Sequence, residues 1–438
     1  MRWVGSRGGV VGSVGRRDEV MHERLRILYL SPMPPGPPRS GAQARMHGLL
    51  THLAPRHEIT AVALLDPGDD AEACARALRP HCRDVVLVRN PNGGGGLPKR
   101  LLQLRSTASL HSYERHRCSL AELQRVLDGV MARTPFDLVN VEFPYLAHYR
   151  LGGSAGAQPP PVVLDAHDIA YEIVRQVARG GASLGRRLYA SVNWRKLRRD
   201  EVAAFRRADG VYTCSAADRD RVLSDVPTAR TAVVPNAADV DFYQPRPADP
   251  PCDGRTVVFF GLLSTFPNTD GVLHFLREIW PRIAAERPEA RFRIIGARPP
   301  PSVQAFAGPR VEVTGLVDDL RPHLASAAAL VVPLRLGSGT RLKILEGMAM
   351  GKAIVSTTLG AEGIDAVPGR DLLVADEPAA FAAAVIRLLD DPGLAARLGS
   401  AGRRLAVERY SWEAAARALE GFYREVLDAR LRERGVPG

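Results

Sequence analysis

Apolar residues along this chain gather in short continuous runs, separated by longer segments whose apolar positions recur every three or four residues. The first pattern fits strands buried on both faces, and the second fits amphipathic helices. In the first half the runs predict strands at 25–30, 58–65, 84–88, 137–141, 162–165, 210–213 and 231–234. In the second half they predict strands at 256–260, 291–295, 310–314, 330–332, 353–356 and 372–374. Strands alternating with helices mark β-α-β units, hence an α/β protein whose parallel sheets are covered on both faces. Residues 241–255 (DFYQPRPADPPCDGR) divide the series, because their prolines forbid regular helix and remove ladder donors. The expected organisation is a disordered tail at 1–24, a first domain at 25–240, a linker at 241–255, a second domain at 256–410 and a final helix at 411–430. The glycine run at 91–98 (PNGGGGLP) is a flexible loop inside the first domain.

Length supports two large domains, since 438 residues exceed the roughly 150 of an ordinary one. A 45% hydrophobic and 24% charged composition is that of a soluble globular protein. The longest weakly polar stretch, 325–334, is about half of the roughly 20 residues that a bilayer span requires. The first 24 residues are rich in Gly and Arg and lack the apolar core of a secretory signal. Five scattered cysteines without a C-x-x-C pair suggest neither a zinc site nor a disulfide framework, but reduced thiols in a cytoplasm. The net charge of +11 is unevenly placed: residues 1–240 hold 34 Lys and Arg against 24 Asp and Glu, whereas 241–438 hold 25 against 24. That asymmetry calls for an anionic partner of the first half, whether nucleic acid, membrane surface or acidic substrate. Its densest segment, 185–207, has eight basic residues and two acidic ones in a helical pattern. Arg195, Lys196, Arg198 and Arg199 are expected there to meet an anionic membrane at the cytoplasmic leaflet, with Leu188, Tyr189, Val192, Trp194 and Leu197 as an apolar face, although those five would equally serve to pack the helix on the sheet.

Open parallel sheets bind ligands beyond the carboxyl ends of their strands, so chemistry is sought just after the predicted strands. At 333–350 (PLRLGSGTRLKILEGMAM) a strand runs into a glycine-rich turn and a helix opening around Thr340. Backbone N–H groups at such a helix start bind phosphate, and Arg341 and Lys343 add the charge that suits a diphosphate. Glu346 is one carboxylate able to accept two hydroxyl hydrogen bonds, as a ribose offers. An ordinary strand-to-helix turn with a solvated charged face would carry the same residues. The nearby GMAMGKA is one residue short of a P-loop, and no G-x-G-x-x-G opens the first helix, which disfavours a nicotinamide dehydrogenase. In the first half, SGAQAR at 40–45 places Gly41 and Arg45 after the first strand, and DAHD at 165–168 places His167 after a buried one. A lone histidine at a strand end is as readily a structural hydrogen-bonding residue. Glu142 and Tyr145 follow the preceding strand, where they could contact an acceptor or simply cap and pack. Asp165, Asp168, Asp318 and Asp319 lack the context of a D-x-D metal site, and no metal is expected.

These segments, with VVPNAAD at 233–239, FFGLLSTFPNTDGVLHFLREIWPRI from Phe259 and VTGLVDDLRPHLASAAALVVP from Val313, resemble the retaining glycosyltransferases of family four, of GT-B fold. The likeness is greatest to a subgroup with Pro-Asn after the first C-terminal strand, often found in exopolysaccharide gene sets; it runs over roughly residues 25–425 and is strongest in the second half. It implies two Rossmann-like, doubly wound domains facing a central cleft, with the last helix crossing back to the first. It further implies that Glu346 holds the donor ribose and that Gly339, Thr340, Arg341 and Lys343 hold the diphosphate, with room left by Gly261. Gly41 would allow close approach to the leaving phosphate, with Arg45 on the helix behind it, and His167 would face the acceptor and the transferred sugar. The first Glu of the family's E-x7-E motif falls on Ser338, and the usual basic pair after the first C-terminal strand is replaced by Pro267 and Asn268. The implied reaction passes a sugar from a nucleotide-diphosphate donor to a glycan, lipid-linked or small-molecule acceptor, with no cofactor and no protein nucleophile. Two rivals remain: a sugar-nucleotide 2-epimerase of the same fold, whose paired carboxylates are not recognisable here, and a basic nucleic-acid-binding protein, for which no recognition motif is present.

Overall fold

A computed structural model describes residues 24–152, 158–179, 184–337 and 340–433. Nearly all of the expected tail, together with Ser338 and Gly339, lies outside the described residues. Thirteen strands form among the described residues, each end within one residue of its predicted position. In the first half these are β1 (Arg26–Ser31), β2 (Glu58–Leu65), β3 (Asp84–Arg89), β4 (Leu138–Glu142), β5 (Val162–Asp165), β6 (Gly210–Thr213) and β7 (Thr231–Val233). The second half has β8 (Thr256–Phe260), β9 (Arg291–Ile295), β10 (Val311–Gly315), β11 (Ala329–Val332), β12 (Ile354–Ser356) and β13 (Leu373–Val374). They build two all-parallel sheets in the orders β3-β2-β1-β4-β5-β6-β7 and β10-β9-β8-β11-β12-β13. Both orders reverse beside their first strand, the switch point where doubly wound sheets open a crevice.

The apolar runs are continuous because both faces of each sheet are covered. Leu28 and Leu30 of β1 enter one core cluster, whereas Ile27 and Tyr29 enter another on the opposite face. That second cluster also holds Met46, Leu49 and Leu50 of the helix Gly41–Leu53, and Trp412, Leu419 and Tyr423 of the helix Trp412–Glu433. The last helix of the chain therefore packs on the first sheet, which ties the halves of the molecule together. Gly48 makes the contact possible, since a β-carbon there would lie 2.3 Å from the Trp412 ring. The second sheet has one continuous core of its own around β8 and β11. No described helix is long and apolar enough to cross a membrane.

One expectation shifts. The helix after β11 opens at Leu342 rather than near Thr340. Thr340 is engaged instead by the first domain: its N–H approaches Cys214 Sγ at 3.4 Å, its hydroxyl donates to Cys214 O at 3.0 Å, and its carbonyl accepts from Asn236 Nδ2 at 2.9 Å.

Candidate functional site

The C-terminal ends of both sheets face one cleft, which encloses a cavity of about 620 Å³. Its second-domain wall starts where β8 stops. Gly261 has φ +150°, and a β-carbon there would lie 3.0 Å from both Lys343 Nζ and Asn268 Nδ2. The glycine thus makes space for a lysine that reaches back across the strand end. Lys343 Nζ donates to Asn268 Oδ1 at 2.7 Å and sits 4.1 Å from the centre of the Phe259 ring, a cation–π contact. Its direct hydrogen-bond partner is thus a neutral amide. Burial, reinforced by the neighbouring Arg341 cation, pulls the Lys343 pKa down to about 7, while Glu346 opposes the fall. Burial also pushes Glu346 up to about 7, against Lys343 and a hydrogen bond with Tyr243. Burial likewise lowers Arg341 from its ordinary value. Two cations and a carboxylate are held half-buried at the start of one helix, each strained away from its charged form by desolvation. A bound diphosphate would reverse that strain on the cations, and ribose hydroxyls would do so for the carboxylate.

The opposite wall is built differently. Phe143 follows β4 at φ +71°, and His167 follows β5 at φ +26°. Neither residue type adopts that backbone cheaply, and such strain concentrates at functional sites. Their rings stack with centroids 3.9 Å apart, and both line the cavity. Behind the rings lies a buried ionic network. His167 Nε2 meets Glu142 Oε2 at 2.5 Å and lies 3.6 Å from Asp165 Oδ2. Asp165 accepts from Arg45 Nε at 2.8 Å and from the His167 N–H at 2.9 Å, while Arg45 also donates to Asn236 Oδ1 at 2.9 Å. Burial opposes charge on His167, but Asp165 and Glu142 together raise its pKa. Glu142 accepts further from Asn140 Nδ2 at 2.7 Å, and Asn140 accepts from the Tyr423 hydroxyl of the last helix at 2.9 Å. A polar chain thus runs from the crossing helix through the first sheet to an imidazole at the cleft. Glu142, Asp165 and His167 bring three potential metal-ligand atoms within 4.8 Å of one another, but Arg45 already engages Asp165 and the imidazole already engages Glu142.

The walls are joined directly. Besides the bonds to Thr340, the Gly337 N–H donates to Gln176 Oε1 at 3.1 Å, so the loop after β11 is held by the first domain at both described ends. Cys214 serves both sides, its thiol donating to His167 O at 3.1 Å.

Two family models match in tandem: Glycosyltransferase Family 4 over residues 39–242 and Glycosyl transferases group 1 over residues 254–391. The chain belongs to the family 4 glycosyltransferases. Among curated proteins it is 30% identical over 260 residues to an MMP alpha-(1->4)-mannosyltransferase of Mycolicibacterium hassiacum, across 56% of this chain and 59% of that protein. It is 28% identical over 235 residues to a D-inositol 3-phosphate glycosyltransferase of Thermobispora bispora, across 47% and 53%. The match thus spans little more than half the length of these relatives. Among solved structures, sucrose-phosphate synthase of Thermosynechococcus elongatus superposes with TM-score 0.68 at 19% identity, over 93% of this chain and all of that one. Anabaena Alr3699/HepE in complex with UDP-glucose superposes with TM-score 0.61 at 17% identity, over 91% and 99%. Both share the GT-B fold.

Within this family 4 glycosyltransferase, Gly261, Thr340, Arg341, Lys343 and Glu346 all line the cavity, while Gly339 is outside the described residues. On the other side Gly41 and His167 line it too, and Gly41 lies against Leu342 of the opposite domain. Three acceptor-side expectations change. Arg45 borders the cavity, but its guanidinium is engaged by Asp165 and Asn236, so it is a buried strut. Glu142 is fully buried behind His167 and does not line the cavity. Tyr145 stacks on the far side of Phe143, at 5.1 Å, away from the cavity. The basic helix also differs from expectation, since Arg198 pairs with Asp225, Lys196 caps carbonyls of Ser106 and Thr107, and Arg199 binds Leu110 O.

Sequence reasoning overlooked Phe143, Asn236, Tyr243 and Asp168 as cleft residues. Asp168 borders the cavity with its pKa raised to about 6, chiefly by burial and against the pull of His167. Asn236 stood inside a motif already noticed, and Tyr243 inside the segment read as linker. Phe143 had no signal, because nothing in its residue type announces a positive φ.

Proposed function

We propose that this chain transfers a sugar, with retention at the anomeric carbon, from a nucleoside-diphosphate sugar to a hydroxyl of a glycan, lipid-linked or small-molecule acceptor. The observation that carries the reading is the half-buried cluster Arg341, Lys343 and Glu346 at a helix start, facing a strained His167 across one cavity. Its charge pattern matches a diphosphate followed by a ribose, and the Alr3699/HepE structure of the same fold holds UDP-glucose. In this reading the diphosphate lies against the helix start at Leu342, where the N–H groups and the two cations stabilise the charge that develops as the sugar departs. Glu346 accepts from the ribose hydroxyls. The bond from the anomeric carbon to the phosphate oxygen breaks and the bond to the acceptor oxygen forms on the same face. The acceptor proton passes to the departing diphosphate, so no protein nucleophile and no metal take part. In the same reading His167 binds the transferred sugar, and closure of the two walls excludes competing water.

Work on the cytoplasmic side, in polysaccharide or glycoconjugate assembly and in peripheral contact with an anionic membrane, belongs to the same proposal. The reading is tested by thermal-shift screening with UDP, GDP and ADP and their sugars, because a ligand at a hundred times its Kd stabilises by about 2.7 kcal/mol. One nucleotide class should raise Tm, and NMR of the product should show the donor's anomeric configuration. No shift with any of them would overturn the donor assignment, and an inverted anomer would overturn retention.

A further inference from the structure

The first domain presents an apolar surface that its own fold leaves uncovered. The helix Gly96–Thr107 exposes Leu97, Leu101 and Leu104, spaced four and three residues apart and so on one face. Leu110 beyond its end is 72% exposed, and Leu188 and Val192 of the helix Leu184–Arg207 are exposed one turn apart. The two helices meet: the Ser106 and Tyr189 hydroxyls lie 3.3 Å apart, and Lys196 Nζ binds the carbonyls of Ser106 and Thr107 at 2.6 and 2.9 Å. Leu104 and Leu188 lie within two residues of that junction along their own helices. Six large apolar side chains exposed on two helices that touch exceed the scatter of single exposed residues that a surface normally shows.

Along both segments the charge is of one sign. No Asp or Glu occurs from Val85 to Tyr113 or from Ile173 to Arg199. Lys99, Arg100, Arg105, Arg187 and Arg195 are exposed, and among the described residues none of the five has an acidic partner. Of the cations that the sequence pattern also offers as surface charge, Lys196 ties the two helices to each other, and Arg198 and Arg199 tie the second to Asp225 and to the Leu110 carbonyl.

We propose that the helix Gly96–Thr107, with the exposed start of the helix Leu184–Arg207, is a docking face for an anionic bilayer. Its leucines enter the acyl boundary and its unpaired cations contact acidic headgroups. A row of leucines flanked by lysine and arginine is the composition of a helix lying in the interfacial plane. The same charge count disfavours a second copy of this face, since stacking two such surfaces would bring like charges together. The proposal rests on the membrane contact named above and gives it a place, but it is independent of which donor is used. Phe143 and His167 of the first-domain cleft wall follow β4 and β5 of the sheet whose core the helix Leu184–Arg207 joins through Leu197 and Phe205, so acceptor and docking face belong to one domain.

The test is co-sedimentation of the full chain with phosphatidylcholine vesicles, with and without phosphatidylglycerol, over a salt series. The wild type should bind the anionic vesicles and be released by salt, because headgroup attraction is screened. Leu101→Asp with Leu104→Asp should lower partitioning about a hundredfold, roughly tenfold for each leucine no longer buried in lipid. The same double variant should keep the wild-type melting temperature and nucleotide affinity, which separates this face from the donor site. Equal binding to neutral and anionic vesicles, or undiminished binding by the double variant, would overturn the proposal. So would a concentration-dependent dimer, seen by analytical ultracentrifugation, that the two substitutions abolish.

Discussion

The two walls of the cleft hold similar numbers of charged groups and use them in opposite ways. On the first-domain wall, Arg45, Asp165, Glu142 and His167 are buried and bonded to one another. On the second-domain wall, Lys343 and Glu346 sit half-buried with pKa values near 7, desolvated without a full ionic partner. The first arrangement is a finished structure that holds an imidazole and a strained backbone in place. The second gains its missing interactions when a ligand arrives. Substitutions should therefore damage folding on one wall and binding on the other.

The largest effect expected from breaking this contrast is on stability. Asp165→Ala leaves the Arg45 guanidinium buried without its carboxylate, which costs about 3–5 kcal/mol. Chemical denaturation should show the loss directly, and an unchanged midpoint would mean that the network is not structural. On the other wall Glu346→Ala should leave the unfolding midpoint nearly intact. Its nucleotide affinity should fall about ten- to a hundredfold, the worth of a charge-assisted bond of about 1.5–3 kcal/mol. A variant with full affinity would remove the ribose assignment.

Much of this contrast was legible in the sequence on one side only. The second-domain wall is local: Arg341, Lys343 and Glu346 stand within six residues at a helix start after a strand, so spacing alone brings them together. The first-domain network joins residues 45, 142, 165, 167 and 236, whose proximity depends on strand order and on the helix that returns from the end of the chain. Strand positions were readable because parallel strands buried on both faces are continuous apolar runs. The engagement of Arg45 and Glu142 was not, because an isolated charge in a sequence does not reveal its partner. The positive φ of Phe143 and His167 was equally hidden.

Acidity sharpens the comparison. Above neutral pH Lys343 loses its proton and its attraction for diphosphate, and below it Glu346 gains one and loses the charge that strengthens its hydrogen bonds from hydroxyls. Nucleotide affinity should therefore peak near pH 7 and fall on each side by at most about tenfold per pH unit. Glu346→Gln should flatten the acid side alone. An affinity that is level from mildly acid to mildly alkaline pH would show that these groups do not titrate in the site.

A smaller effect is expected at Glu142, a positioning residue that acts through His167. Glu142→Gln keeps one hydrogen-bond acceptor but removes one of the two anions, Asp165 and Glu142, that raise the histidine pKa. Turnover should fall about three- to tenfold, the worth of one ordinary hydrogen bond. The donor KM should hold, and the pH step assigned to His167 should move to lower pH. A lower melting temperature with an unmoved pH profile would assign Glu142 to packing alone.

The central claim, that recognition of the donor's nucleoside diphosphate resides on the second-domain wall, is met most directly by calorimetric titration of the nucleoside diphosphate found in the screen. The comparison is between Lys343→Ala and His167→Ala. The account predicts an affinity loss of about tenfold or more in the first and near wild-type affinity in the second. Equal losses in both, or full affinity in Lys343→Ala, would contradict it.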